Sequence, residues 1–240
     1  MKTETKVTSR NKDNTVLTVS ILHTPDNDRF RKIVIFCHGF PGSNRLSELA
    51  LILTGQGIAL LEVGYQGDKA MGCGGKFSFI KSTHDIGAAC LWVEQVYDNI
   101  EKQILGFSAG GFYALNFAYE HPELVDSLVL LNPVVTWLIF FDERIMHDLW
   151  KEAGELLSLQ APDAYKKESD ELRTKYDPCV FADRLAVQVT LLQSQNDEVL
   201  KPALARYFIK FIHDGKFILI KRAGHGLRGD EPELIEALTR

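Results

Sequence analysis

Apolar residues along this chain fall into short dense runs separated by longer stretches with helical spacing, and the two kinds alternate. Lys32 to Cys37 is a continuous β-branched and aromatic run, and Ile58 to Val63, Ser127 to Leu131 and Val187 to Gln193 read the same way. Such runs belong to strands buried on both faces of a parallel sheet. Thr15 to His23 instead alternates polar and apolar, as an edge strand or hairpin arm does, and Asp26-Asn27-Asp28 is turn chemistry. Lys216 to Lys221 reads as the last strand. Between these runs, Leu46 to Thr54 has helical spacing and is stopped by Gly55 and Gly57. Thr83 to Tyr97 reads as an amphipathic helix, and Ala109 to Tyr119 as a helix behind Ile104-Leu105. The alternation predicts an α/β fold, with a mainly parallel, twisted sheet flanked by helices.

From Val134 to Asp183 the rhythm breaks. The stretch reads helical but irregular, with Pro162 and Pro178 as breaks, and passes from Trp137-Leu138-Ile139-Phe140-Phe141 to a charged run beginning at Lys166. Placed between two core strands, it is expected to be a helical cap inserted into one domain spanning residues 1–240, over the carboxyl edge of the sheet where α/β folds bind ligands. Trp137, Phe140 and Phe141 are the candidate substrate-binding residues; the alternative is that they only pack the cap on the core. The charged run reads as a solvated helix face.

The chemistry begins at Gly106-Phe107-Ser108-Ala109-Gly110, directly after an apolar run and directly before a helix. A serine on a sharp strand-to-helix turn needs small neighbours, and the turn lifts its hydroxyl out of the sheet. Such a serine needs a histidine base and an acid to orient it, in the chain order Ser, Asp or Glu, His, each in a loop after a strand. Asp197 follows the Val187 to Gln193 run, with Glu198 as the adjacent alternative, and His225 sits in Arg222-Ala223-Gly224-His225-Gly226 after the last strand. Ser108, Asp197 and His225 are therefore the candidate catalytic residues. The residue after the nucleophile, Ala109, is expected to offer one oxyanion-hole amide. His38 is expected to bond within its own loop, and Asp85, next to His84 at an expected helix start, to complement the helix dipole.

On His38-Gly39-Phe40-Pro41-Gly42, the Gly106 to Gly110 elbow, Asp197 and His225, the chain resembles the α/β-hydrolases, and the resemblance runs from about residue 15 to the C-terminus. It is most similar to small serine carboxylesterases of the cinnamoyl or feruloyl esterase type and to the catalytic domains of prolyl-oligopeptidase-like peptidases. The resemblance implies an α/β-hydrolase fold and Phe40 as the second oxyanion-hole donor; Pro41 has no N–H to give. It also implies a serine hydrolase acting on small or medium carboxylic esters without a cofactor. Peptidase, thioesterase, C–C hydrolase and a catalytically silent binder of the same fold are the alternatives.

Composition narrows the field further. The chain has 240 residues, 45% of them hydrophobic and 25% charged, enough for a large core and a solvated surface. A net charge of −5 with no basic cluster argues against a nucleic-acid partner. Met1 to Lys6 is polar and lacks a signal core, and the longest apolar stretch, Val134 to Phe141, is too short to span a bilayer, so a cytoplasmic protein without a membrane partner is expected. The four cysteines have no C-x-x-C spacing and the seven histidines do not cluster, so no metal site is expected. Cys37 and Cys90 are expected to act as small buried hydrophobes. The partner is expected to be a small-molecule ester, and apolar surface on the cap or an edge strand would permit a homodimer.

Overall fold

The computed structural model describes residues 3–10, 17–26, 28–42, 46–140, 143–221, 223–226 and 228–240. Among them the strands are β1 (Thr3–Arg10), β2 (Leu17–Thr24), β3 (Lys32–Cys37), β4 (Ala59–Glu62), β5 (Glu101–Phe107), β6 (Ser127–Leu131), β7 (Gln188–Ser194) and β8 (Gly215–Ile220). They form one sheet in the order β1-β2-β4-β3-β5-β6-β7-β8. β2 runs antiparallel to both β1 and β4, and every other pairing is parallel. The helices are α1 (Ser47–Gly55), α2 (Phe79–Val96), α3 (Ala109–Glu120), α4 (Trp137–Phe140), α5 (Glu143–Leu156), α6 (Pro162–Thr174), α7 (Pro202–Phe208) and α8 (Pro232–Thr239).

Side chains of a strand alternate between faces, so the central runs feed two cores. Ile33, Ile35, Leu128, Leu130 and Leu191 join α2 and α3 on one face, with Ile86, Val93 and Phe112 among the partners. Val34, Phe36, Leu105, Val129 and Leu192 meet Leu49 and Leu53 of α1 and Leu234 and Leu238 of α8 on the other. Each such side chain, fully buried, contributes about 1.5–3 kcal/mol, which is why the continuous apolar runs lie at the centre of the sheet. Cys37 and Cys90 are buried thiols, as their positions in the pattern predict. The helices α4, α5 and α6 occupy the interval between β6 and β7.

Three elements depart from the sequence expectation. β1 lies in a segment that reads as a polar N-terminus: Val7 is buried while Thr5, Lys6 and Thr8 are exposed, so an edge strand with one apolar residue leaves no run to detect. β5 starts at Glu101, before the Ile104-Leu105 pair, because Glu101, Lys102 and Gln103 pair with Lys32, Ile33 and Val34 of β3; the Lys102 Nζ lies 2.8 Å from Glu94. α2 starts at Phe79, four residues early, where Ser78 Oγ accepts from the Lys81 N–H at 3.1 Å and caps the first turn. Asp85 is therefore inside the helix and buried. Its carboxylate accepts from the Gln66 backbone N–H at 2.8 Å and from Gln66 Nε2 at 3.0 Å; it does not serve the helix dipole.

Candidate active site

β5 ends at Phe107 and α3 begins at Ala109, leaving Ser108 alone to turn the chain. It does so at φ 53° and ψ −121°, a conformation that an L-residue holds only under constraint. The constraint is visible: the Ser108 N–H donates to Leu131 O at 3.1 Å, and its carbonyl accepts from Gly111 at 3.0 Å and Val134 at 2.9 Å. The flanking glycines are required by close approach. A Cβ on Gly106 would lie 2.7 Å from Gly111 Cα, and one on Gly110 would lie 1.9 Å from the Cys37 carbonyl oxygen. Helix α3 thus packs backbone against the end of β3, and that contact brings the His38 loop to the serine.

Two loops complete a hydrogen-bonded line. His225 Nε2 is 3.1 Å from Ser108 Oγ, and His225 Nδ1 is 2.9 Å from Asp197 Oδ2. A carboxylate only accepts, so Nδ1 carries the proton and Nε2 is left as the acceptor for the serine hydroxyl. Asp197 also receives the Val199 N–H at 2.9 Å and the Leu200 N–H at 2.7 Å on Oδ1, and the Gln193 side chain at 2.9 Å on Oδ2. Burial by itself would raise this carboxyl, but the hydrogen bonds from His225, Leu200 and Val199 and the His225 charge outweigh it and hold it below the ordinary range. Glu198 points elsewhere: its carboxylate lies against Gly224, where a Cβ would sit 3.3 Å from Oε2. The geometry can pass a proton from Oγ to Nε2 while a negative charge faces the ring that receives it.

The loop after β3 closes over the same serine. A Cβ on Gly39 would stand 2.9 Å from Ser108 Cβ, so only glycine fits there. His38 bonds within its loop as expected, Nδ1–H donating to Gly39 O at 2.8 Å, and it makes no hydrogen bond to Ser108. Burial pulls its imidazole below the usual histidine range, offset only in part by the Gly39 carbonyl and the Asp68 carboxylate, 3.7 Å from Nε2. Among the described residues neither the Phe40 nor the Ala109 N–H donates a hydrogen bond. Both remain available to an oxygen beside Ser108. Among the same residues no cluster of histidine, cysteine and carboxylate side chains suits a metal ion, and no helix is long and apolar enough to cross a membrane.

Trp137, one of the three aromatic candidates, is 1% exposed. Its ring packs on Phe79 and Phe112, and Nε1 donates to Ser169 Oγ at 3.1 Å, which is the packing alternative. Phe141 and the side chain of Phe140 lie outside the described residues. Two residues the motifs do not mark hold the site together. Asn132, at φ 44° after β6, accepts the Ser194 N–H at 2.7 Å and donates to Ser194 Oγ, to Gly224 O and to His225 O at 3.0, 3.3 and 3.0 Å. One buried amide therefore ties the acid loop to the base loop. Gln193 does the same for Asp197 and also donates to Leu200 O at 3.2 Å. Asn132 before Pro133 reads as a strand end, and a polar residue at the last position of an apolar run is the one signal that marks Gln193.

A family model described as serine aminopeptidase, S33, matches residues 28–177. No curated protein sequence matches the chain significantly. Among solved structures, the esterase domain of a Rhodothermus marinus protein superposes with a TM-score of 0.73 at 19% identity, covering 99% of this chain and 96% of that one. An α/β serine hydrolase homologue from Coxiella burnetii gives 0.67 at 18%, covering 98% and 96%. The Pyrococcus horikoshii acylaminoacyl peptidase gives 0.71 at 13%, with 99% of this chain matched to 40% of that longer one. These likenesses establish an α/β-hydrolase fold.

Proposed function

The chain belongs to the serine aminopeptidase S33 family within the α/β-hydrolases, and from that premise we propose that it is a serine hydrolase cleaving carboxylic esters of small or medium acyl or aryl-acyl groups. The observation that carries this reading is the continuous line from Ser108 Oγ through His225 to Asp197, with steps of 3.1 and 2.9 Å. Ser108 Oγ attacks the acyl carbonyl carbon as His225 Nε2 takes its proton, and Asp197 stabilises the imidazolium. The carbonyl oxygen, now negative, is held by the Phe40 and Ala109 amides, each worth about 3 kcal/mol. His225 gives its proton to the leaving oxygen, and the alcohol departs. Water then attacks the acyl-enzyme, His225 again takes and returns the proton, and the free acid and Ser108 hydroxyl are regenerated. The helices α4 to α6 are read as the cap that shapes the substrate pocket.

The second reading is an aminopeptidase or related amide hydrolase, and the description of the matching family favours it. The same triad cleaves both bond types, so the test compares substrates: p-nitrophenyl esters of rising acyl length against aminoacyl p-nitroanilides, with wild type and Ser108→Ala in parallel. Ester turnover that drops at least about 10³-fold in a folded Ser108→Ala variant is expected. Comparable anilide cleavage moves the assignment to peptidase. Ester hydrolysis that survives the substitution removes Ser108 as nucleophile, and silence on every substrate favours a binder.

A further inference from the structure

Asp68 lies in the loop after β4 and is 2% exposed, and nothing in the proposed chemistry uses it. Its backbone is held from several sides. The Asp68 N–H donates to Tyr65 O at 3.0 Å, and its carbonyl accepts from the Cys73 N–H at 2.8 Å. It also bridges antiparallel to Leu157, just past the cap helix α5, beside a 3.0 Å bond from the Lys69 N–H to Leu156 O. The carboxylate is held too, because Oδ1 accepts the Met71 N–H at 3.0 Å. Among the described residues Oδ2 has no hydrogen-bond partner. It is buried 3.7 Å from His38 Nε2, which is itself buried and without a hydrogen bond. Leaving two such atoms unpaired is costly, so the contact requires an explanation.

Proton counting supplies it. Nδ1 of His38 faces Gly39 O at 2.8 Å, the Gly42 carbonyl bears on the ring, and Nε2 faces a carboxylate oxygen, so these groups only accept. A neutral ring has one proton for them. If it stays on Nδ1, Nε2 and Oδ2 set lone pairs against each other; if it moves to Nε2, Gly39 O loses its donor. That carbonyl belongs to the same planar peptide as the Phe40 N–H, so the bond that holds the one aims the other. One further proton between Nε2 and Oδ2 serves both contacts, with an approach of about 0.8 Å to an ordinary N–H···O distance. Burial favours keeping that proton. On either partner it leaves the pair without net charge, and its loss leaves a buried anion. The neighbours oppose the anion as well. Glu62 of β4, 2.7 Å from His23 of β2, bears on His38, and Asp85 of α2 bears on Tyr65 and Cys73. Burial pushes Cys37, Tyr65 and Cys73 up, so they stay neutral, while Lys81 acts on Asp85 and Lys69 Nζ donates to Gly154 O.

We propose that Asp68 is a positioning residue for the loop after β3: Asp68 Oδ2 and His38 Nε2 hold one proton between them at neutral pH, so that the Nδ1 proton stays on Gly39 O and the Phe40 N–H keeps its direction. The inference rests on the ester-hydrolase reading with the Phe40 amide as an oxyanion donor. The pair is complete at low pH and loses its proton as pH rises through its apparent titration. The proton left on the ring is then divided between Gly39 O and Oδ2. The oxyanion donor is misdirected, so kcat falls while KM holds.

The test reads the proton directly. In the isotope-labelled full chain, the His38 ring nitrogens are assigned through its own backbone and followed by NMR from about pH 6 to about pH 10. At neutral pH the wild-type Nε2 is expected to be displaced from the position of an unprotonated imidazole nitrogen. Asp68→Asn brings its own N–H to Nε2 and is expected to show the neutral Nδ1–H ring throughout. In parallel, kcat for phenyl acetate is expected to fall about tenfold over the alkaline part of the range in wild type, at unchanged KM, and to stay level in Asp68→Asn. A wild-type Nε2 that matches Asp68→Asn at every pH overturns the shared proton, with or without turnover. A displaced Nε2 with the same alkaline fall in both proteins overturns the positioning role. If Asp68→Asn fails to fold, wild type decides alone: Nε2 and kcat changing at one common pH uphold the proposal, and changes at different pH overturn it. A displaced Nε2 in a protein that hydrolyses no ester upholds the pair and removes the esterase reading instead.

Discussion

Replacing Gly39 by alanine places a methyl carbon 2.9 Å from Ser108 Cβ and 3.4 Å from Ser108 Oγ. Carbon atoms rest about 3.5–4.0 Å apart, so roughly 0.6–1 Å of separation has to be found. Ser108 cannot readily supply it, since its N–H and carbonyl are held by Leu131, Gly111 and Val134 and its φ is already 53°. The loop moves instead, and the next residue along it is Phe40, whose amide is proposed to hold the oxyanion. A misplacement of about 1 Å in such a geometry costs on the order of 10²-fold in rate. That factor corresponds to about 2.7 kcal/mol of lost transition-state stabilisation. The expected result for Gly39→Ala is a kcat/KM for p-nitrophenyl acetate lowered by about that factor, with circular dichroism and a cooperative melt retained. Ser108→Ala sets the floor of the assay. Wild-type turnover in a folded Gly39→Ala protein would refute both the tight approach of this loop and the assignment of the Phe40 amide.

Burial above all raises the Asp85 carboxyl to about 6, against the lowering effect of its Gln66 hydrogen bonds. The folded value lies above the unfolded one, so the folded state binds the extra proton and stability falls as pH rises from about 4 through about 6. Two units correspond to about 3 kcal/mol, and Asp85→Asn should remove that part of the pH dependence; equal changes in urea-unfolding free energy between pH 4 and pH 8 for the two proteins would contradict it. Gln193→Leu removes the 2.9 Å donor to Asp197 Oδ2, and kcat for a small ester should fall about tenfold at unchanged KM. An unaltered kcat would mean that His225 and the Val199 and Leu200 amides position Asp197 by themselves.

The central strands and the elbow are legible in the chain because their causes are local. A continuous β-branched run can only be buried on both faces, and Gly106 and Gly110 announce a turn in which added Cβ atoms would strike backbone. The spacing of Ser108, Asp197 and His225 follows from that sheet, since each stands at the carboxyl end of a parallel strand. What could not be read are the places where polar residues are recruited by distant partners. β1 shows one buried apolar residue and depends on pairing with β2, and the polar start of β5 depends on pairing with β3. Asp197 and Glu198 are chemically alike in sequence; backbone direction after β7 turns one toward His225 and the other toward Gly224. Trp137 reads as a pocket wall or as core with equal warrant until Ser169 and Phe79 surround it. The sequence by itself determined the fold class and the serine and histidine of the candidate triad, with two adjacent carboxylates for its acid, because β-branched runs and glycines act on their own neighbours. Tertiary structure decided the Asn132 and Gln193 clamps and which of the two carboxylates faces His225. Contacts such as Asn132 to Ser194, 62 residues apart, and His225 to Ser108, 117 apart, exist only once the chain has closed.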